Sequence, residues 1–439
     1  MKKMSLFGLA WPIFVETALF MALGFIDVLV LSSYDELAAA AVNTANQSIA
    51  VVTIVFSVIS GASAVLISQL LGAKRRQDAS KIAALSMFFN FIFGIVISVL
   101  LYFFSKPLLV FIGADGKLLA FSSEYLRIVG GFIFMQALLA SMTVVIRNHG
   151  LTKVSMYVTV IMNIVNTVLD IVLVPHYGVK GVAIATTFSR IMGVIALSVV
   201  LFTKIENIKI FKLLKPMPWA EFASMIKIGV PTALESTLYH LSQLVITSIV
   251  LNHLSENELN AKTYVQSITM FFYIFAVAIG QASQIITGHL VGADKTEEAY
   301  KRGMNAYFKA LLITMSISAL GVLLRTQLLD IFSDNQDVIT FGAHILFINF
   351  VLEFGRTTNL VLIACLRGAG DVYFPTGCAI VSNWLISVLG SYVLAVVCGL
   401  GIYGLFVALA GDEVFRGILM IWRFRSGKWK TKKVIKAKA

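Results

Sequence analysis

The chain has 439 residues, of which 58% are hydrophobic and only 13% are charged. That balance excludes an ordinary water-soluble globular protein and calls for many apolar runs of membrane-spanning length. The formal net charge of +12 raises nucleic acid as a partner, but the basic residues sit mostly between the apolar runs, where the positive-inside rule already accounts for them, and no nucleic-acid partner is expected.

The first apolar run, residues 6–33, carries Pro12 and two carboxylates, Glu16 and Asp27. On a helix their spacing amounts to about 1100°, within about 20° of whole turns, so both acids share one face some ~16 Å apart. A charge at mid-membrane costs about 2.5–3.5 kcal/mol on insertion scales, so such acids face a wet or protein interior. The run begins soon after Lys2 and Lys3 without a small-residue cleavage pattern, so no secretory signal peptide is expected. Apolar runs recur at 44–71, 81–104, 121–146, 153–175 and 181–203, then at 222–251, 264–291, 303–324, 339–366, 373–397 and 401–422. The pattern predicts an all-α integral membrane protein of about twelve transmembrane helices. Lys and Arg gather in alternate loops, among them Lys74, Arg75, Arg76, Arg147, Lys204, Lys215, Lys295 and Arg367, with the N-terminal lysines and the basic tail on the same side. That asymmetry predicts a multi-pass plasma-membrane protein with both termini in the cytoplasm. Trp429 in the tail reads as an interfacial anchor. Cys365, Cys378 and Cys398 lack metal-ligand spacing and read as structural thiols.

The halves repeat. LAWPIFVETALF (9–20) answers IGVPTALESTLY (228–239), pairing Pro12 with Pro231 and Glu16 with Glu235. SQLLGAKR answers GHLVGADK, Arg147 and Gly150 answer Arg367 and Gly370, and Asn163 answers Asn383. Six helices per repeat insert the same way up, which predicts two six-helix bundles related by a pseudo-twofold axis along the membrane normal, as in transporters whose site lies between two bundles. The boundaries expected are an N-terminal lobe at 1–203, a cytoplasmic linker at 204–221, a C-terminal lobe at 222–423 and a basic cytoplasmic tail at 424–439.

The halves differ where chemistry would sit. In the fifth helix Thr159, Asn163, Asn166 and Asp170 form one polar stripe, whereas the eleventh keeps Asn383 and Ser387 but has Gly390 in place of Asp170. Asp27 falls opposite Ile246. Two carboxylates with an amide such as Asn166 and a hydroxyl such as Thr186 make a site for a proton or for Na⁺, because desolvation and a like-charged neighbour both favour protonation and oxygen ligands suit a hard cation. The alternative is a buried network that only holds helices together. Glu16 and Glu235 carry two readings: a shared structural role near the membrane face, or a place in a substrate cavity with Asn163, Tyr239, Gln243 and Gln284. Glu353 and Arg356 are spaced to neutralise each other, whereas Arg190 has no obvious local partner and is a candidate to answer one of the buried acids. His240 and His289 read as lone polar residues within apolar runs.

These residues together resemble the multidrug and toxic compound extrusion (MATE) transporters of prokaryotes over nearly the whole chain. The resemblance rests on LAWP…GFIDVLVLS, SQLLGAKR, RNHG, RGAGD and the Asn166–Asp170 pattern. It implies a cation-coupling site at Asp27, Asn166, Asp170 and Thr186, with Thr187 as the one-residue alternative. Many members carry a seventh-helix glutamate where this chain has His240; Asp371 lacks that partner, and the pattern leans to the DNA-damage-inducible-F-like branch. The function expected is a monomeric secondary antiporter in the lipid bilayer, exporting amphipathic, often cationic organic compounds in exchange for H⁺ or Na⁺ without a cofactor. Pro12 or Gly24 is a candidate hinge in the first helix. A flippase for a lipid-linked sugar is the rival; it calls for several intramembrane arginines or lysines, of which Arg190 and Arg356 are the candidates. Neither a nucleophile–base pair nor an HExxH motif is found, so no enzyme activity and no metal beyond Na⁺ at Asp27 and Asp170 is expected.

Overall fold

The computed structural model describes residues 4–205 and 210–435, and the regular structure among them is helical throughout. Twelve long helices follow in order: α1 (Leu6–Ser32), α2 (Glu36–Gly72), α3 (Arg76–Phe111), α4 (Gly116–Gly131 and Ile133–Asn148), α5 (Thr152–Tyr177), α6 (Val179–Lys204), α7 (Trp219–His253), α8 (Glu256–Gly292), α9 (Thr296–Leu323), α10 (Gln336–Ala369), α11 (Tyr373–Val397) and α12 (Gly401–Arg425). The two arms of α4 meet at 49°. Among the described residues, nine of these helices, or ten with α4 taken as one span, are long and apolar enough to cross a bilayer unaided. The other two, α7 and α12, are interrupted by Glu235, His240 and Gln243 and by Asp412, Glu413 and Arg416; several of these residues line the cavity described below.

The helices outrun the apolar runs that announce them. The second run begins at residue 44, yet α2 starts at Glu36 with Asp35 as its cap. The Asp35 carboxylate accepts from Leu37 N at 2.9 Å and from Lys117 Nζ at 2.6 Å. Lys117 and the Leu37 amide hold this carboxyl below its ordinary range. Alanine-rich ELAAAA is a strong helix former without being apolar enough to register as a span.

The chain divides into two compact units, one of Trp11–Ala233 with the first four residues, the other of Leu234–Ala439 with Ser5–Ala10. This division falls inside α7, whereas the sequence places the second lobe's start at 222. The cause is the packing of α7's first turns: Phe222 stacks on Phe89 of α3 with ring centroids 3.7 Å apart, and Gly229 presses so closely on the Val58 carbonyl that a Cβ there would clash. Residues 206–209 of the expected linker lie outside the described residues.

Within the first unit, Tyr125, Leu126, Val129 and Ile133 of α4 sit in an apolar core with Leu31, Val42 and Val182. Asn90 of α3 donates to Ser60 of α2 at 2.8 Å and to Ser141 of α4 at 2.5 Å, a buried polar tie between three helices. In the second unit, α8, α10 and α12 approach through glycines: a Cβ on Gly280 would lie 2.7 Å from Leu360 O, and one on Gly368 would lie 2.5 Å from Gln284 O. Gly355 of α10 sits against the backbone of Glu413 in the same way. Gly355→Val must therefore push α12 away, and overpacking of this kind costs about 1–3 kcal/mol. The variant is expected to melt several degrees below wild type in a thermal-shift assay, and an unchanged midpoint would mean that α10 and α12 are not held at this distance.

The duplication is visible in the backbone. Lys74 and Asp294, at matching positions of SQLLGAKR and GHLVGADK, both adopt left-handed φ (60° and 59°), and the amides after them bond to Leu70 O and Leu290 O alike. Gly150 and Gly370 both take positive φ (79° and 97°), a conformation that a glycine adopts without penalty.

The tail corrects one expectation. Trp429 is fully buried rather than placed at an interface: its ring stacks on Phe424 at 5.0 Å and its Nε1 donates to Phe424 O at 2.8 Å. Lys433 pairs with Asp294 at 2.7 Å, and Lys430 pairs with Glu297, so the tail lies clasped on the turn between α8 and α9.

Candidate functional site

Helix α5 is inside out. Its buried residues are Thr152, Ser155, Thr159, Asn163, Asn166, Asp170 and Val174, while Tyr157, Ile161, Ile164, Val168 and Ile171 are exposed. A helix that turns its polar face inward and its apolar face outward fits lipid surroundings. The stripe meets Asp27 of α1 and the α6 segment bearing Thr186, Thr187 and Arg190. The Asp27 and Asp170 carboxyls lie close enough to act on each other, and the Arg190 charge acts on Asp27. Tyr125 lies beside Thr186 and reaches Asn46 Oδ1 at 3.3 Å. Asp170 is fully buried, and both its oxygens, Asp27 Oδ1, both side-chain polar atoms of Asn166, Asn163 Nδ2, Thr187 Oγ1 and Arg190 Nη1 have no hydrogen-bond partner.

The chemistry of that arrangement is specific. Two ionised carboxylates are both acceptors and cannot bond to each other. One proton placed between them turns a repulsion into an O–H···O bond. Two carboxylates against one guanidinium leave a single negative charge, which one monovalent cation neutralises. The surrounding oxygens, from carboxylate, amide and hydroxyl, also suit Na⁺. Among the described residues no cluster of three or more His, Cys, Asp or Glu stands ready for a metal ion.

The buried acids of the second unit are handled differently, each carrying an arginine. Glu353 accepts from Arg356 at 2.5 Å, Asp371 from Arg423 at 2.7 Å, and Asp412 from Arg416 at 2.9 Å and Ser387 at 2.9 Å. Glu235 accepts from Arg367 and from Thr376, both at 2.7 Å. In the first unit Arg147 donates to Glu16. Glu16 and Glu235 are thus repeat mates, each bound by the arginine of its own repeat.

A cavity of about 630 Å³ lies within the second unit. Glu235 and Tyr239 of α7, Gln266, Tyr273 and Gln284 of α8, Arg356, Asn359 and Arg367 of α10, and Glu413 and Arg416 of α12 line it. Gln243 lines a smaller adjoining hollow with Asn383 and Ser387. Of the residues expected around a substrate, Glu235, Tyr239 and Gln284 therefore come together here, and Gln243 borders them. Glu16 and Asn163 belong to the first unit, Glu16 on Arg147 and Asn163 on the α5 stripe. Sequence reading passed over Asp412, Glu413 and Arg416, although three charges inside an apolar run of spanning length were signal enough.

The MatE family model matches the chain twice, at residues 12–172 and 231–393. The two matches begin at Pro12 and Pro231, the prolines that the internal repeat pairs. The "Uncharacterized transporter YisQ" of Bacillus subtilis is 35% identical over 98% of this chain and 95% of its own length. The "Probable multidrug resistance protein NorM" of Thermotoga maritima is 25% identical over 99% of this chain and 94% of its own. Among solved structures, the outward-facing conformation of a multidrug resistance MATE family transporter superimposes with a TM-score of 0.89 at 19% identity, over 96% of each chain. The double family match and the named relatives mark a membrane transporter rather than an enzyme. The chain belongs to the MatE family of MATE transporters.

Proposed function

We propose that the chain is a secondary antiporter that exports amphipathic organic compounds in exchange for H⁺ or Na⁺ entering at Asp27 and Asp170. The observation that carries this reading is the contrast between buried acids. Glu353, Asp371 and Asp412 are each paired with arginine, whereas Asp27 and Asp170 face each other with one negative charge to spare. Asp27 is the primary coupling group, Asp170 its partner, and Asn166 with Thr186 or Thr187 orients the ion. Binding drives transport only if it favours one conformation over another. The lobe of residues 1–203 carries the ion and that of 222–423 the cargo, in a monomer of the plasma membrane with both termini cytoplasmic and no cofactor beyond the coupling ion. Cationic compounds are the cargo that the family resemblance implies. The rival flippase calls for clustered arginines, and Arg356, Arg367 and Arg416 in one cavity are the observation in its favour.

Proteoliposomes containing the protein and the cationic dye rhodamine 6G, placed under separate proton and Na⁺ gradients, test the antiport. Dye movement driven by one gradient names the ion. Gradient-independent movement overturns the coupling.

A further inference from the structure

We infer that Lys106 and Arg127 of the first unit bind the phosphate of an anionic phospholipid, with Tyr102 between them and the acyl chains lying on the apolar face of α3. The inference concerns the lipid around the transporter and is independent of antiport at Asp27. It starts from two cations that have no counter-charge. On the same side of the first unit, Lys117 pairs with Asp35 at 2.6 Å and Lys180 with Glu124 at 3.0 Å. Glu124, one turn from Arg127, is thereby committed. Lys106 and Arg127 are both exposed, and neither enters an ion pair among the described residues.

Their depth follows from helix length. The 36 residues of α3 make about 54 Å of helix against about 30 Å of hydrocarbon, so an even share leaves about 12 Å beyond each boundary. Tyr102 lies about 14 Å from the end of α3 at Phe111, and Arg127 about 16 Å from the start of α4 at Gly116. Both sit close to the line where hydrocarbon meets headgroups, in the outer leaflet for the orientation proposed above. Lys106, one turn nearer the end of α3, lies among the headgroups. Arg127 stacks over the Tyr102 ring at 4.5 Å and donates from Nη2 to its hydroxyl at 3.1 Å. The ring fixes the guanidinium plane and uses one of its N–H groups; the rest of the fork matches two oxygens of a phosphate. Lys106, four residues from Tyr102, adds a second charge on the same face of α3. Around them Val99, Leu100, Phe103 and Phe104 are exposed and apolar, a surface that suits acyl chains. A cation on such a surface is costly unless it reaches a partner at the interface. Two unpaired positive charges favour a headgroup with net negative charge, whereas a choline headgroup brings a positive charge of its own to the same place.

The test is native mass spectrometry of the full chain, delipidated in detergent and titrated with phosphatidylglycerol or with phosphatidylcholine of the same acyl chains. The first phosphatidylglycerol is expected to bind at least about tenfold more tightly than the first phosphatidylcholine, with each basic residue at an anionic headgroup contributing about fivefold. Lys106→Gln and Arg127→Gln should each weaken phosphatidylglycerol about fivefold, and the double variant should bind the two lipids alike. Both side chains are exposed, so neither change strands a buried charge. Arg325→Gln is the control, since it removes an equal charge beside the end of α9, the repeat counterpart of α3, where Arg325 is exposed and donates only to Val322 O at 3.0 Å; the preference should survive it. Equal binding of the two lipids by wild type, a preference that persists in the double variant, or an equal loss in Arg325→Gln overturns the inference. No ion gradient or cargo enters the measurement, so its outcome stands apart from that of the antiport experiment.

Discussion

Asp27→Asn is expected to abolish gradient-driven dye movement while leaving a folded protein. The amide that replaces the carboxyl can donate permanently to Asp170, so the variant holds the arrangement that a proton creates in the wild type and cannot release it. A two-state element answers a ligand only through differential binding, and a full swing of populations takes a preference of about 10⁴ between states. A residue that is always donating supplies no such difference. Transport should fall below about a tenth of wild type, while binding of cargo and thermal midpoint stay near wild type. Asp170→Asn should do the same, and the double variant should be no worse than either single one if, as proposed, the two carboxyls share one coupling ion and act as a unit. Normal antiport by well-folded Asp27→Asn would remove the coupling site from the first unit and turn attention to the paired acids of the second.

The second large effect is on stability. Arg147→Ala strands the Glu16 carboxylate, which is 1% exposed. Breaking a buried ion pair from one side costs about 3–5 kcal/mol, whereas removing both partners is close to neutral. Arg147→Ala should therefore melt about 3–5 °C below wild type, at about 1 °C per kcal/mol for a chain of this length, and Glu16→Gln with Arg147→Gln should recover most of the loss. The repeat mate behaves more mildly: in Arg367→Ala, Glu235 keeps the Thr376 hydroxyl and is 17% exposed on its side chain. Buried Cys365 makes a thiol-reactive dye a suitable reporter of unfolding. Equal midpoints for Arg147→Ala and wild type would show that the pair is not a strut.

The spans were legible because a bilayer demands long apolar runs, and the polar stripe of α5 was legible because three- and four-residue spacing falls on one helical face. Helix ends were not, since α2 is extended by alanines and capped by Asp35, features that hydropathy does not weigh. The repeat matched Glu16 with Glu235 and Arg147 with Arg367, each as an isolated similarity. That each glutamate binds its own repeat's arginine depends on packing between residues 131 and 132 positions apart, beyond the reach of local pattern. The division inside α7 was hidden for the same reason: its first turns are apolar whichever unit they join. The arginine-rich cavity needed four helices to be brought together, and only the charges in α12 hinted at it.

The buried indole at position 429 changes what counts as the end of the protein. A helix that stops at Arg425 invites the view that everything beyond is a dispensable leash to which a fluorescent protein or an affinity tag can be attached at will. The ring stack on Phe424 and the lysine clasps at Asp294 and Glu297 make residues 426–433 part of the folded second unit. A fusion joined directly after α12 would strip away a structural cap and bare the Phe424 ring, so an added sequence belongs downstream of Lys433.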